Sequence, residues 1–281
     1  MIWIRNQVFT GAEGRTSLYD VCYQPEDKPL PVIIFIHGFK GYKDWGPWDN
    51  VAEHFASAGY CFVKYNVSHN GGTVANPIDF PDLDAFGQNR YSYELQDLDA
   101  IFSLIRTEKR ISNEQKIDNR CINLIGHSRG GAIALLYTAQ HQQVIHRLIT
   151  WNAVSNFAER FPKEIDKWKS EGVWFIENKR TRQQMPMYFS IYEDFLKYRD
   201  KLDIESAAKN LSVPTAIIQG ANDVVVHPNE AKKLNEWVPE SILHLIPDAN
   251  HTFNATHPFN KNQLPKALKL AVLKSLSFLT A

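Results

Sequence analysis

Cysteine is scarce in this 281-residue sequence. Cys22, Cys61 and Cys121 stand far apart, and no two form a CxxC pair. An odd number without a spacing framework argues against a disulfide scaffold or a thiolate metal site, and points to reduced thiols and a cytoplasmic setting. Net charge is also missing, because 31 Lys and Arg are balanced by 31 Asp and Glu. With no basic excess there is no broad electrostatic capture of nucleic acid or of an anionic membrane, and neither is expected as a partner. Long apolar runs are absent. The longest, such as 32–36, are strand-sized, against the roughly 20 residues that a bilayer span needs. Arg5, Asn6 and Gln7 occupy positions where a cleavable signal requires apolar residues, so none is expected. There is no GxGxxG, no Walker sequence, no HExxH and no carboxylate cluster at metal spacing, so no nucleotide, cofactor or catalytic metal is expected.

What remains is an ordinary globular composition, 44% hydrophobic and 22% charged. Length alone allows one or two domains. The first segments, 2–10 and 17–23, read as strands joined at Gly11-Ala12-Glu13-Gly14, a hairpin signal. Pro29 and Pro31 close a loop. The β-branched run 32–36 then reads as a strand buried on both faces. A helical pattern covers 48–58 and stops at Gly59; 60–65 is another strand. A long polar loop, 66–90, follows. Helical spacing runs from Ser92 to about Arg110, a strand covers 121–125, an apolar helix 129–140 and a short strand 146–150. Strands alternating with helices predict βαβ units and a parallel sheet, hence an α/β fold. From 155 to 212 the rhythm breaks into a charged, aromatic and mostly helical stretch. Strands at 214–219 and 241–246 and helices at 228–237 and 264–279 then resume it. Segment 155–212 is expected to be an insertion between two strands of one sheet, which leaves one domain over 1–281.

Chemistry concentrates at three strand ends. Gly126-His127-Ser128-Arg129-Gly130 has the GxSxG pattern between an apolar strand and an apolar helix, the setting of a strained nucleophile elbow. A serine hydroxyl is a weak nucleophile at neutral pH and needs a base, and the base needs an orienting acid. Asp223 follows strand 214–219 and His251 follows strand 241–246, so Ser128, Asp223 and His251 all fall at the carboxyl edge, where open α/β sheets bind ligands. Asp248 is the rival acid but sits three residues from His251 on the same loop and reads as a turn residue. His127 should point away from Ser128. A tetrahedral intermediate needs backbone donors. The N–H of Arg129 is one, and Gly38, after strand 32–36, lets the chain bring that of Phe39 over the site as the other, with His37 bracing the loop.

With His37-Gly38-Phe39, Gly126–Gly130, the Asp after Gly220 and Asn250-His251 in place, the sequence resembles the α/β-hydrolase superfamily over nearly its whole length. It looks most like the serine-aminopeptidase/dienelactone-hydrolase-like group and its cinnamoyl and feruloyl esterases. The resemblance implies a mostly parallel sheet of about eight strands with helices on both faces and a small helical cap. It also implies a serine hydrolase of carboxylic esters. Ser128 in place of an elbow Asp excludes the chemistry of the family's dehalogenases and epoxide hydrolases.

The expected substrate is a small-molecule ester with an aryl or short acyl group, handled by a monomer or homodimer. Cap aromatics such as Trp168, Trp174, Phe189 and Tyr192 would either line an acyl pocket or only pack the cap down. The cap cations near 163–169 and 179–182 read as a solvated face. The same triad also permits a peptidase, thioesterase or acyltransferase. For a peptidase, Glu193-Asp194 would be the candidate acidic pair for a substrate amine. A non-catalytic binding protein would show a damaged triad, and this one has every position intact.

Overall fold

The computed structural model describes residues 1–107 and 115–281. Its main sheet has eight strands: β1 (Ile2–Thr10), β2 (Thr16–Tyr23), β3 (Leu30–Ile36), β4 (Cys61–Tyr65), β5 (Ile117–His127), β6 (Arg147–Trp151), β9 (Thr215–Gly220) and β10 (Ile242–Ile246). A separate two-stranded hairpin supplies β7 (Val173–Asn178) and β8 (Gln183–Tyr188). The strand order in the main sheet is β1-β2-β4-β3-β5-β6-β9-β10. β1 and β2 form the antiparallel edge, β2 meets β4 antiparallel, and every pairing from β4 to β10 is parallel.

Parallel strands are covered on both faces, which is why they read as unbroken apolar runs. Along β3, Val32, Ile34 and Ile36 enter one core and Ile33 and Phe35 the other. In β9, Ile217 faces the first core and Ala216 and Ile218 the second. The first core is closed by α3 (Tyr91–Thr107), α4 (Arg129–Gln140), α7 (Ile204–Lys209) and α8 (Pro228–Trp237). The second is closed by α1 (Trp48–Ser57) and α9 (Lys266–Thr280). None of the described helices is long and apolar enough to cross a membrane.

Most expected elements fall within a residue or two of their reading. Pro31, expected in a loop, is the second residue of β3, and the ladder to β5 slips beside it, which accommodates its missing N–H. The last part of the expected helix 92–110, residues 108–110, lies outside the described residues. The expected polar loop 66–90 contains α2 (Leu83–Gln88), and its first residues are buried. Polar anchors hold it inside: Asp97 accepts from the Ser68 N–H at 2.7 Å, and Arg15 donates to the Ser68 carbonyl at 2.8 Å and to Asp82 at 2.6 Å.

Segment 155–212 leaves the sheet after β6 and returns at β9, and those two strands pair directly. It is not wholly helical. Besides α5 (Ile165–Glu171), α6 (Ser190–Lys197) and α7 it contains the β7–β8 hairpin. The run Val173-Trp174-Phe175-Ile176 has the β-branched and aromatic character of a strand, and charged neighbours obscured it.

Candidate active site

β5, β9 and β10 end side by side with β6 between β5 and β9, and the chain leaves each toward one edge. Ser128 follows β5 with φ 58° and ψ −121°, a left-handed conformation that is strained for a side chain with a Cβ. Its N–H donates to the Trp151 carbonyl at 2.8 Å. The turn closes so tightly that a Cβ at position 126 would lie 2.2 Å from the Gly130 carbonyl oxygen, so only glycine fits there.

The edge brings Ser128, His251 and Asp223 together. His251 Nε2 lies 3.0 Å from Ser128 Oγ and its Nδ1 2.7 Å from Asp223 Oδ2. A carboxylate only accepts, so Nδ1 donates and Nε2 is left to accept from the serine hydroxyl. Asp223 is buried, and its other oxygen accepts the N–H groups of Val225 at 2.8 Å and Val226 at 2.9 Å. Burial opposes its charge. The hydrogen bond and charge of His251 and the two backbone donors outweigh that, and its pKa is held below the ordinary carboxylate value. Asp248 does not compete: it has a positive φ, and its carbonyl takes the Asn254 amide.

His127 does not point away from the site. It lines the same cavity as Ser128, and its Nε2 donates to the His251 carbonyl at 2.8 Å. Burial and the neighbouring His251 push its pKa down to about 3, so it is the neutral donor this bond needs. Asn152, which the sequence reading passed over, sits directly after β6 and donates to the same carbonyl at 2.8 Å, while its Oδ1 accepts the Gly220 N–H at 2.6 Å. It ties the loops after β6, β9 and β10 together. Its position one residue past a central strand was the available signal.

His37 braces its loop as expected. Its Nε2 accepts from the Val67 N–H at 3.1 Å, and its Nδ1 donates to the Gly38 carbonyl at 2.9 Å. Burial lowers its pKa to about 4, so it too is neutral. Gly38 presses on Ser128, since a Cβ there would lie 2.8 Å from Ser128 Cβ. The N–H groups of Phe39 and Arg129 find no protein acceptor among the described residues. Beside them the buried Arg129 guanidinium lies 4.1 Å from the centre of the Phe39 ring and pairs with Glu94 of α3 at 3.2 Å. Burial raises the Glu94 pKa against the pull of Arg129 and of the Asn89 amide at 2.7 Å.

A cavity of about 250 Å³ opens over Ser128 and His251. Its aromatic walls are Phe39 and Trp45, from the segment joining β3 to α1, and Trp48, the first residue of α1, with Asn178 and Arg180 at the β7–β8 turn. Of the two expectations for the cap aromatics, packing prevails. Phe161, Trp168, Phe189, Tyr192 and Phe195 pack on one another in tilted and edge-to-face pairs, and none lines this cavity. Arg180, expected on a solvated face, lines it. Asp194, a candidate for binding a substrate amine, is instead buried against Ser92, accepting its N–H at 3.1 Å and its hydroxyl at 2.5 Å. Among the described residues the carboxylates that approach metal geometry are Asp20, Asp44 and Asp49. They already surround an ammonium group, Lys64 Nζ, at 3.0, 2.6 and 2.7 Å.

A doubly covered parallel sheet with a serine at a strained strand–helix turn defines an α/β hydrolase. The model of the alpha/beta hydrolase fold family matches residues 31–173, half of the chain, and the chain belongs to that family. It is 25% identical over 158 residues to serine hydrolase BPHL of Homo sapiens, a match covering 50% of this chain and 52% of that protein. The chain thus spans about half the length of this relative. A 277-residue alignment with monoacylglycerol lipase ABHD6 of Rattus norvegicus is 19% identical and covers 85% of this chain and 76% of that one. Among solved structures, Est1E of Butyrivibrio proteoclasticus with ferulic acid bound superposes with a TM-score of 0.72 at 15% identity, over 97% of each chain. That likeness is one of fold.

Proposed function

We propose that this α/β hydrolase is a serine esterase that cleaves small carboxylic esters through an acyl-enzyme. The observation that carries the reading is the continuous relay Ser128 Oγ–His251–Asp223, at 3.0 and 2.7 Å, on a buried acid. Ser128 Oγ attacks the ester carbonyl while His251 Nε2 takes its proton. Asp223 keeps the proton on Nδ1 and stabilises the imidazolium. The oxyanion is received by the N–H groups of Phe39 and Arg129, whose hydrogen bonds are otherwise unspent. Collapse breaks the ester C–O bond, and His251 returns the proton to the departing alcohol. Water activated by the same histidine then hydrolyses the acyl-enzyme, releasing the acid and restoring Ser128.

Segment 155–212 acts as a cap in this reading, contributing Asn178 and Arg180 to the cavity wall. The position of Asp194, turned to Ser92 rather than to the cavity, disfavours a peptidase that recognises a substrate amine.

A fluorophosphonate should label Ser128 and abolish turnover of 4-nitrophenyl butyrate. Ser128→Ala should lose about 10⁴-fold or more in kcat and all labelling. A folded protein that is not labelled, or a Ser128→Ala variant with wild-type turnover, refutes the assignment.

A further inference from the structure

The cavity over Ser128 has an uneven charge. Lys40 and Arg180 line it, and no Asp or Glu does. The histidines that share the wall are held neutral in the cases of His37 and His127. Arg180 has its counter-charge outside the cavity wall, where it donates to Asp79, and it also reaches the Tyr42 hydroxyl at 3.4 Å. Lys40 forms no ion pair among the described residues, and the Glu177 carboxylate acts on it only from beyond ion-pair distance. Its Nζ lies 3.4 Å from the Glu177 backbone carbonyl and 5.9 Å from the centre of the Phe39 ring, both weak contacts. The ammonium is half-buried and belongs to the residue following Phe39, in a backbone with φ 54°. It is therefore carried by the same short loop that faces the reacting carbonyl. A half-buried cation with no ion-paired carboxylate, beside an aromatic wall and a nucleophile, is a complementary site for an anion.

We propose that the preferred substrate is an ester bearing an anionic substituent, such as a carboxylate, which pairs with Lys40 while its apolar part lies against Phe39 and Trp45. The inference rests on the esterase reading and adds the charge of the substrate to it. The surroundings of Lys40 agree. Burial lowers its pKa and the nearby Lys179 adds to this, with Glu177 opposing, so a bound anion relieves an unfavourable environment. The net effect is selectivity for charge at the mouth of a cavity whose interior is aromatic.

The test uses two matched ester pairs. In the first the charge is on the acyl side: the 4-nitrophenyl esters of 4-carboxybenzoic and 4-carbamoylbenzoic acid. The ring holds the carboxylate away from its own ester, so it cannot attack it. In the second the charge is on the alcohol side: 4-carboxyphenyl and 4-carbamoylphenyl butyrate. Each rate is divided by that for hydroxide, which removes intrinsic reactivity. The readout is the anionic-to-neutral ratio of kcat/KM, so a general loss of activity in a variant cancels. The expected ratio is at least tenfold in one pair, falling as ionic strength rises, and the pair that shows it identifies which side of the ester carries the anion. Lys40→Met should bring the ratio to near one, Lys40→Glu should invert it, and Lys40→Arg should retain it. Ratios near one in both pairs for the wild type overturn the proposal, as does a preference that survives in Lys40→Met. If none of the four esters is cleaved and the fluorophosphonate leaves Ser128 unmodified, the esterase reading itself fails. Cleavage of the neutral esters without charge preference overturns the anionic-substrate proposal and leaves the esterase reading standing.

Discussion

The side chains of the two proposed oxyanion donors hold one another, which makes their contact a sharp test of how the site is preorganised. The Arg129 guanidinium lies 4.1 Å from the Phe39 ring centre and 5.1 Å from that of Tyr91, and Glu94 neutralises it at 3.2 Å. Arg129→Met alone is a poor probe. It strands the buried Glu94 carboxylate, and breaking such a pair costs about 3–5 kcal/mol of stability. The informative variant is Arg129→Met with Glu94→Leu, which removes both charges and should change stability far less. What it loses is a desolvated cation–π contact worth about 2 kcal/mol. If that energy serves to hold Phe39 over the site, kcat should fall by about 30-fold with KM little changed. The ceiling is the loss of a whole oxyanion donor, about 10²–10³-fold. Phe39→Leu completes a cycle: it should cost a similar factor in the wild type and almost nothing more in the double-variant background. Turnover of 4-nitrophenyl butyrate, with urea unfolding as the stability control, reads all four proteins. A stable double variant with wild-type kcat, or strictly additive effects around the cycle, refutes the idea that Arg129 holds Phe39 in place.

Three further outcomes follow from the same geometry. Asn152→Ala removes one of the two donors to the His251 carbonyl and strands the Gly220 N–H, so steady-state kinetics should show kcat reduced by one to two orders of magnitude, and urea unfolding a loss of about 1–3 kcal/mol. Lys64→Met leaves Asp20, Asp44 and Asp49 short of a cation and should cost about 3–5 kcal/mol in urea unfolding at pH 7. Although burial opposes it, Lys64 and Lys43 bring the Asp20 pKa down to about 2; the stability this group contributes is present above its ordinary pKa of 3.8 and lost as pH falls toward 2. Asp97 behaves oppositely. Burial outweighs the N–H bonds from Ala12 and Ser68 and raises its pKa to about 6, so its contribution is full below pH 3.8 and lost as pH rises through 6. Unfolding titrations from pH 4 to 7 should show a fall of up to about 3 kcal/mol in the wild type that Asp97→Asn lacks.

The parts that were legible in the sequence are those where one local pattern has one structural solution. Short apolar segments ending near Ile125, Gln219 and Ile246, each flanked by helical patterns, are explained most simply as strands of one parallel sheet. Once three such runs are parallel, their following loops must share an edge. Ser128, Asp223 and His251 were therefore placed near one another before any distance was known. The insertion was harder because its aromatics satisfy helical and strand periods alike. Trp174 and Ile176 of β7 read equally well as a helical face until Met187 and Met185 pair with them across the hairpin. Its cations were harder still. Nothing local distinguishes Arg180 from Lys179 or Arg182; what directs it to the cavity is Asp79, about a hundred residues away in sequence. The loop 66–90 reads in sequence only as long and polar. Its polar groups are spent on partners inside, as when Asn66 Oδ1 accepts the Lys43 N–H at 2.6 Å.

That last bond also accounts for where the protein puts its most costly interactions. Lys43 and Lys64 are buried with Asp20, at 2.8 and 3.0 Å, and both also reach Asp44. Apolar residues of similar volume would stabilise such a position at least as well. Lys43, however, stands three residues beyond Lys40 and four beyond Phe39. A charged anchor resists sliding in a way that an apolar contact does not, because any shift separates an ion pair in a dry interior. As a proposed oxyanion donor, the Phe39 N–H would have to be held to within a fraction of an ångström of where charge develops. With His37 tied to Val67 at one end and Lys43 tied to Asp20, Asp44 and Asn66 at the other, the segment between them has both ends fixed. The same anchoring positions Lys40, so the group proposed to select the substrate and the group proposed to stabilise its transition state are carried on one braced piece of chain.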